Sequence, residues 1–397
     1  MPIAALDTPA HAALMAQAEA AATLLAGRSA AIEAQRALPA DLANALAEAG
    51  LYRLLTPAAY GGHEAPPASF WCVIERLARA DAAAAWCSFI ACTSSLLAAW
   101  LPADEAAAVF GRPALKAAGV FAPRGRALPA TQAGRAGWRV SGRWAWGSGT
   151  ANADVISVGC LVDGADGRPQ TLPDGTPRVL SLLLDRAQVH LLDNWQAVGL
   201  CGTGSGEFEV SEAFVPAARA ASLFDAPVLA TPLTRFPLFG LLAIAIAAVA
   251  AGIAGSALAH FADSAAHGVP QAGTRPLASR ATVQEAFARS SAQLHSARAW
   301  LLATVDEAWA AAQQPGALPL ASRRDLRLAA THLTHTAAEV VGRVYSLAGG
   351  AAVFGTSPLQ RALRDVHVAT QHMMVGESTW ELTGRLLLDQ PTQTSLL

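Results

Sequence analysis

The residues best suited to chemistry fall in three places. The first is Gly142-Arg143-Trp144-Ala145-Trp146-Gly147-Ser148-Gly149-Thr150-Ala151-Asn152-Ala153-Asp154, in which aromatic and small residues alternate ahead of the apolar run Val155-Ile156-Ser157-Val158. Such a stretch suits a strand edge that offers hydroxyls and bare backbone to a flat ligand. A tryptophan-anchored hairpin, with Ser148 only making a turn, accounts for the same residues. The second is Gln371-His372-Met373-Met374, where an imidazole near neutral pH could hydrogen-bond a ligand or move a proton, or could simply face a helix dipole. The third is Gly202-Thr203-Gly204-Ser205-Gly206. It is followed by Glu207 and strand-like sequence, not by a helix, and Thr203 breaks the G-x-S-x-G pattern, so neither a dinucleotide loop nor a hydrolase elbow is expected.

Other chemistries lack their residues. Cys72, Cys87, Cys92, Cys160 and Cys201 are odd in number and contain no C-x-x-C pair, which argues against a disulfide framework or zinc and fits a reducing cytoplasm. His332-x-x-His335 has no third ligand at metal spacing and reads as a polar helix face. Lys116 is the sole lysine among 28 basic residues and lies outside any phosphate-loop pattern. A net charge of −2 gives no electrostatic footprint for nucleic acid or an anionic membrane surface. The start of the chain, with Asp7 and His11, does not read as a secretory signal. The charge-free run from Phe236 to Ala259 is long enough to span a bilayer, but its Ala/Gly richness and unflanked ends predict a buried bundle helix.

Three regions must position these groups. With 53% hydrophobic and 15% charged residues, the 397-residue chain can bury a large core. Residues 1–118 read as helical: Asp41 and Gly50 bracket one short helix, and Asp81 opens another through Trp86 and Phe89. Residues 119–231 read as strands, among them Val155–Val162, Val179–Leu184 and 207–210, with a turn expected at Ser141-Gly142. Residues 232–397 return to helix; Ser322-x-x-Asp325, Ser357-Pro358 and Ser378-x-x-Glu381 are expected starts, and Gly349-Gly350 an expected stop.

This order of helices, β-domain and helical bundle resembles the acyl-CoA dehydrogenase superfamily over nearly the whole chain. Within it, the chain is similar to the branch that uses reduced flavin to activate oxygen, as in two-component 4-hydroxyphenylacetate hydroxylases and dibenzothiophene monooxygenase. Four stretches carry the likeness: Gly119-Val120-Phe121-Ala122-Pro123; Trp144 to Gly149 with Ala153-Asp154; Val198-Gly199-Leu200-Cys201-Gly202-Thr203-Gly204-Ser205; and Ala362-Leu363-Arg364-Asp365-Val366-His367 leading to Gln371-His372. The resemblance implies an N-terminal helical domain, a β-barrel-like middle domain, a C-terminal four-helix bundle and a homotetramer. The base that a dehydrogenase of this superfamily uses falls at Val375 in Met373-Met374-Val375-Gly376-Glu377, so that reaction is not expected here.

The expected function is therefore the oxygenase component of a two-component monooxygenase, which takes reduced flavin (FMNH2 or FADH2) from a separate NAD(P)H:flavin reductase. With O2 it would form a C4a-hydroperoxide and oxygenate a small aromatic or heteroaromatic compound. Ser148 is the expected donor at the flavin and His372 the acid–base or hydrogen-bonding group, with His367 structural. Phe121, Ala122 and Trp146 would contact the ring system, and Arg275 with Gly349 and Gly350 its phosphate, in part from a neighbouring subunit. Trp86, Phe89, Ser94, Met373 and Met374 would line an apolar substrate pocket; Ser94 stands where hydroxylase relatives often carry a histidine, which leaves room for heteroatom or indole-like oxygenation. A flavin dehydrogenase or oxidase, and a non-enzymatic binding subunit, are the alternatives.

Overall fold

The computed structural model describes residues 3–164, 167–269, 273–395 and 397. It begins with six helices: α1 (Pro9–Leu25), α2 (Ser29–Gln35), α3 (Ala40–Glu48), α4 (Pro67–Ala80), α5 (Ala82–Ser95) and α6 (Ala103–Phe110). Their starts follow local chemistry. The Thr8 side chain accepts the His11 N–H ahead of Pro9, and the Asp81 carboxylate accepts the Ala84 N–H at the start of α5. Asp41 is not the cap expected of it; Pro39 takes that position, and Asp41 lies in the first turn, paired with Arg28. Nearly every residue of α5 is buried, because α4 and α8 cover one side and the sheet the other.

Seven strands follow: β1 (Ala117–Gln132), β2 (Arg135–Trp144), β3 (Val155–Val162), β4 (Val179–Asp185), β5 (His190–Leu191), β6 (Phe208–Pro216) and β7 (Ala220–Ala221). They form one sheet in the order β5-β6-β2-β1-β3-β4-β7, parallel between β1 and β3 and antiparallel elsewhere. The barrel-like middle domain is thus a sheet whose outermost strands, β5 and β7, each have one neighbour. Strand β3 is buried on both faces, which is why it reads as a nearly continuous apolar run with only Ser157 polar. The turn expected at Ser141-Gly142 is a bulge within β2, where the register to β6 shifts between Val140 and Gly142. Gly142 is required there because a Cβ would lie 2.7 Å from the Trp144 ring.

The remaining helices are α7 (Pro232–Arg235), α8 (Leu238–His267), α9 (Ala281–Ala312), α10 (Leu320–Ala348), α11 (Pro358–Thr370) and α12 (Ser378–Leu387). Helix α8 and the stretch Ala82–Trp100 are each long and apolar enough to cross a membrane by length and composition, but both are largely buried inside the protein. Close packing explains the alanines and glycines of α8: a Cβ on Gly252 would meet Ala78 Cβ at 2.5 Å and the Glu75 carbonyl at 2.6 Å on α4. Near the other end, Gly240 sits against Leu326 of α10, so α8 and α10 run parallel with their N-termini together. Ser357 caps α11 and Gly349, at φ +59°, ends α10, as read from the sequence. The expected start at Ser378 is also found, since α12 opens on it, though Glu377 and not Ser378 takes the cap position; the start of α10 differs, at Leu320 after Pro319, leaving Ser322 inside the helix. At α10, Pro319 fixes an earlier start than the Ser-x-x-Asp pattern indicates.

Candidate functional site

Helix α5 organises the site through Trp86. Its indole is buried, and Nε1 donates to Ser148 Oγ at 3.1 Å. Ser148 Oγ lies 2.6 Å from Ser205 Oγ, which lies 2.6 Å from Thr203 Oγ1, and Thr203 Oγ1 donates to the Leu200 carbonyl at 2.8 Å. The ends of this chain set its direction. An indole N–H can only donate and a carbonyl can only accept, so every hydroxyl between them donates away from Trp86. Ser148 is accordingly an acceptor for Trp86 and a donor to Ser205. The outward donation expected of it requires this chain to be broken or reversed.

The loop carrying that chain is held from three sides. Gly199 lies against the Arg364 backbone, where a Cβ would come within 2.4 Å of its carbonyl oxygen, and Gly202 packs on Ile32 of α2 and Ala83 of α5. Leu200 is held in the left-handed region at φ +49°, a conformation that costs a non-glycine residue about 1–3 kcal/mol. Its N–H donates to Asp365 Oδ1 at 2.6 Å, while Arg364 Nη1 donates to the Val198 carbonyl and pairs with Glu33 on α2. Burial pushes the Asp365 carboxyl up to about 7, against the lowering effect of the Leu200 N–H.

His372 also packs against Trp86. Its ring centroid is 5.9 Å from that of Trp86, and Trp86 packs edge-on against Phe89 at 4.9 Å. The Met374 N–H donates to His372 Nδ1 at 3.2 Å, which assigns the proton of the neutral ring to Nε2. Burial, with the Arg327 guanidinium adding to it, lowers the imidazole to about 4. His372 is thus a neutral donor at physiological pH. The loop around it is pinned by α10, where Arg327 donates to the Met374 carbonyl and His335 Nε2 lies 2.9 Å from the Val375 carbonyl. His335 also meets Trp380 edge-on and lies 3.7 Å from Glu377, whereas His332 tilts over Trp300.

The backbone offers a ledge for a flat ring beside this centre. Strand β1 leaves its ladder with β3 between Val120 and Gly125, and its pairing with β2 starts only at Arg126. The backbone of Phe121, Ala122, Pro123 and Arg124 therefore lies outside both ladders, and Gly159 admits the Phe121 and Ala122 carbonyls to distances no Cβ would allow. Backbone outside the regular ladders, next to a small-residue strand, suits an isoalloxazine edge, so these residues fit a flavin. The stretch around Ser148 serves two purposes. Trp144 is fully buried, stacked on Phe208 and bonded to the Gly159 carbonyl, as an anchor. Trp146 is 70% exposed at φ +68° and meets Trp195 edge-on.

Not all expected residues converge. Met373 is exposed and Met374 belongs to the helical core, so adjacent positions on this loop do not share a pocket wall. Ser94 is buried over Gly119, its Oγ without a hydrogen-bond partner among the described residues. Gly349 and Gly350 follow the far end of α10, about 33 Å along its axis from Arg327 at 1.5 Å per residue. Arg275 is exposed in the connection between α8 and α9, at that same end. Within one chain, then, neither the two glycines nor Arg275 reach the Trp86 centre. Burial raises all five cysteine thiols, those of Cys87, Cys92 and Cys160 to about 12.

Sequence spacing also missed a cavity of about 330 Å³ between β1, β4 and the starts of α8 and α10, lined among others by Trp100, Phe121, Phe236, Phe239, Arg235 and Arg323. None of Trp86, Phe89, Ser94, Met373 and Met374 lines it. The clue available in the sequence was the aromatic cluster Phe236-Pro237-Leu238-Phe239 at the head of the charge-free helix.

Comparison with known proteins gives a consistent picture. The acyl-CoA dehydrogenase N-terminal domain family matches residues 8–117, and the acyl-CoA dehydrogenase C-terminal domain family matches residues 244–377. Indole-3-acetate monooxygenase of Pseudomonas putida is 31% identical over 354 residues, covering 89% of this chain and 87% of that protein. The crystal structure of 3-HSA hydroxylase from Rhodococcus sp. RHA1 superposes with a TM-score of 0.85 at 26% identity, covering 97% of this chain and 99% of the other. XiaF from Streptomyces sp., solved in complex with FADH2 and glycerol, superposes with a TM-score of 0.85 at 25% identity, covering 98% of each chain.

Two predictions follow from the Trp86 centre. Ser148→Ala leaves the buried indole N–H without its acceptor and is expected to cost about 1–3 kcal/mol in urea unfolding, whereas adding Trp86→Phe should cost less than the two single changes summed. Strict additivity would mean that the bond contributes nothing. For His372, the folded value lies below the unfolded value of about 6.5, so the unfolded chain gains a proton first and stability is lost as pH falls from about 6.5 to about 4. His372→Gln should remove that part of the acid sensitivity; a stability difference between the two proteins that is constant from pH 7 to pH 4 would contradict it.

Proposed function

Since the chain belongs to the acyl-CoA dehydrogenase superfamily, we propose that it is the oxygenase component of a two-component flavin monooxygenase. It would receive reduced FMN or FAD from a separate NAD(P)H-dependent reductase and oxygenate a small aromatic or heteroaromatic compound. The observation that carries this reading is the makeup of the centre: a neutral imidazole donor and a hydroxyl chain meet on Trp86, and no carboxylate stands where a dehydrogenase would need one. Val375, the residue at that position by resemblance, is fully buried in the core. Glu377, two residues on, points to solvent and toward His335.

The residues fit a bound flavin. The backbone of Phe121 and Ala122, outside both ladders, would hold the ring edge, the Trp146 and Ser148 segment would form its wall, and Arg275 with Gly349 and Gly350 would act from another copy in a homotetramer. Reduced flavin supplies the two electrons needed to activate O2. The chain's own groups do the rest. Trp86 and Phe89 exclude water, and the Ser205 hydroxyl holds Ser148 in place. His372 Nε2–H, kept neutral by burial, can donate to a developing negative charge without first losing a proton.

Support comes from relatives whose names are those of monooxygenases or hydroxylases, including oxygenase subunits and an FADH2-dependent resorcinol hydroxylase oxygenase component. The test is turnover under labelled O2 with a flavin reductase, NADH and a panel of phenols and heteroaromatic acids. One labelled oxygen atom should enter a product, and His372→Ala should slow this by roughly a hundred- to ten-thousand-fold. Absence of any oxygenated product, with an acyl-CoA instead bleaching a tightly bound oxidised flavin, would establish the dehydrogenase reading.

A further inference from the structure

The cavity between the sheet and the starts of α8 and α10 has a chemistry that the oxygenase reading alone does not explain. Trp100, Phe121, Phe236 and Phe239 give it aromatic walls, and Arg235 and Arg323 bring two guanidinium groups. Among the described residues lining it, no side chain is acidic; Ser395 and Leu397, the last residue of the chain, also border it. Arg235 Nε is engaged by the Ala312 carbonyl, but Arg323 Nε is buried and has no hydrogen-bond partner among the described residues. The Arg323 side chain is half-buried, with its Nε shielded from solvent, and an arriving carboxylate would give that Nε a charge-assisted partner. The field has a further source: α8 begins at the cavity with Leu238 and Phe239, and its cap residue, Pro237, offers no side-chain bond to the free N–H groups of the first turn.

We propose that this cavity binds the substrate through an aromatic ring held by Trp100, Phe236 and Phe239 and a carboxylate held by Arg323, so that the substrate class is aryl or heteroaryl carboxylic acids. Calling the ligand a substrate rests on the oxygenase reading; the binding itself does not. The placement fits that reading. Phe121 borders the cavity and also belongs to the segment of β1 outside both ladders, while Arg327, one turn beyond Arg323 on α10, donates to Met374 beside His372. The volume, about 330 Å³, lies at the lower end for a small-molecule site and suits one or two fused rings with a short acidic arm.

The test is equilibrium binding to the full chain by calorimetry, without flavin or reductase, using indole-3-acetate and its neutral counterpart indole-3-acetamide. The acid should bind at least tenfold more tightly than the amide. Arg323→Gln should weaken the acid by about ten- to a hundredfold and leave the amide unchanged, and Arg323→Lys should recover part of the preference. Equal affinity for acid and amide, or an unchanged acid affinity in Arg323→Gln, overturns the proposal. So does competition between oxidised FMN and the acid accompanied by loss of FMN affinity in Arg323→Gln, because Arg323 would then hold the flavin phosphate. As no turnover is measured, acid binding that passes these criteria in a protein that fails to oxygenate would count against the oxygenase reading alone.

Discussion

An indole N–H that can only donate and a backbone carbonyl that can only accept stand at opposite ends of one hydrogen-bonded chain, and the site depends on that asymmetry. Trp86, Ser148, Ser205, Thr203 and Leu200 come from α5, the segment after β2 and the loop before β6, so the chain ties the helical domain to the sheet. Leu200 belongs to it only because Asp365 on α11 holds its N–H in a left-handed turn, which brings the C-terminal bundle into the same linkage. Three regions of the fold thereby converge on one hydroxyl. The same indole contacts both Ser148, through its N–H, and His372, through its ring.

Helix packing determines what can join that centre. Because α8 and α10 run parallel, their N-termini meet at the aromatic cavity while their C-termini, with Arg275 and Gly349-Gly350, lie a helix length away. A single chain therefore separates the ring-binding and phosphate-binding candidates. At the near end, successive turns of α10 present Arg323 to the cavity and Arg327 to the loop of His372.

Much of the architecture was legible because period and composition are local signals. The charge-free run of α8, the apolar run of β3 and the Ser357 cap each depend on neighbours within a few residues. Strand β1 was harder to read because Gly119, Pro123, Gly125 and Pro129 mimic a loop, and the break they produce is itself the ledge. The Ser322 and Ser378 patterns match capping boxes by spacing, but neither serine supplies a capping bond, and at α10 Pro319 sets the start. The site was legible only in part. Ser148, His372 and Trp86 were singled out, but 62 residues separate Trp86 from Ser148, and no spacing rule links them. Nor does any pattern reveal that Ser148 spends its proton on Ser205, or that Arg323 lies on a cavity rather than in solvent. Both depend on tertiary placement. Asp365 was noted as part of a motif, but its role emerges only when the Leu200 turn is seen against α11.

The proposed function requires a flat ring on the segment of β1 that lies outside both ladders, next to the Trp86 centre and bordering, but not filling, the Arg323 cavity. A crystal structure of the protein with oxidised FMN tests it most directly. The account predicts the isoalloxazine against the backbone of Phe121 and Ala122 and beside Ser148, with the cavity at Arg323 left open. Flavin density within that cavity, between Trp100 and Phe239 with its phosphate on Arg323, would contradict it.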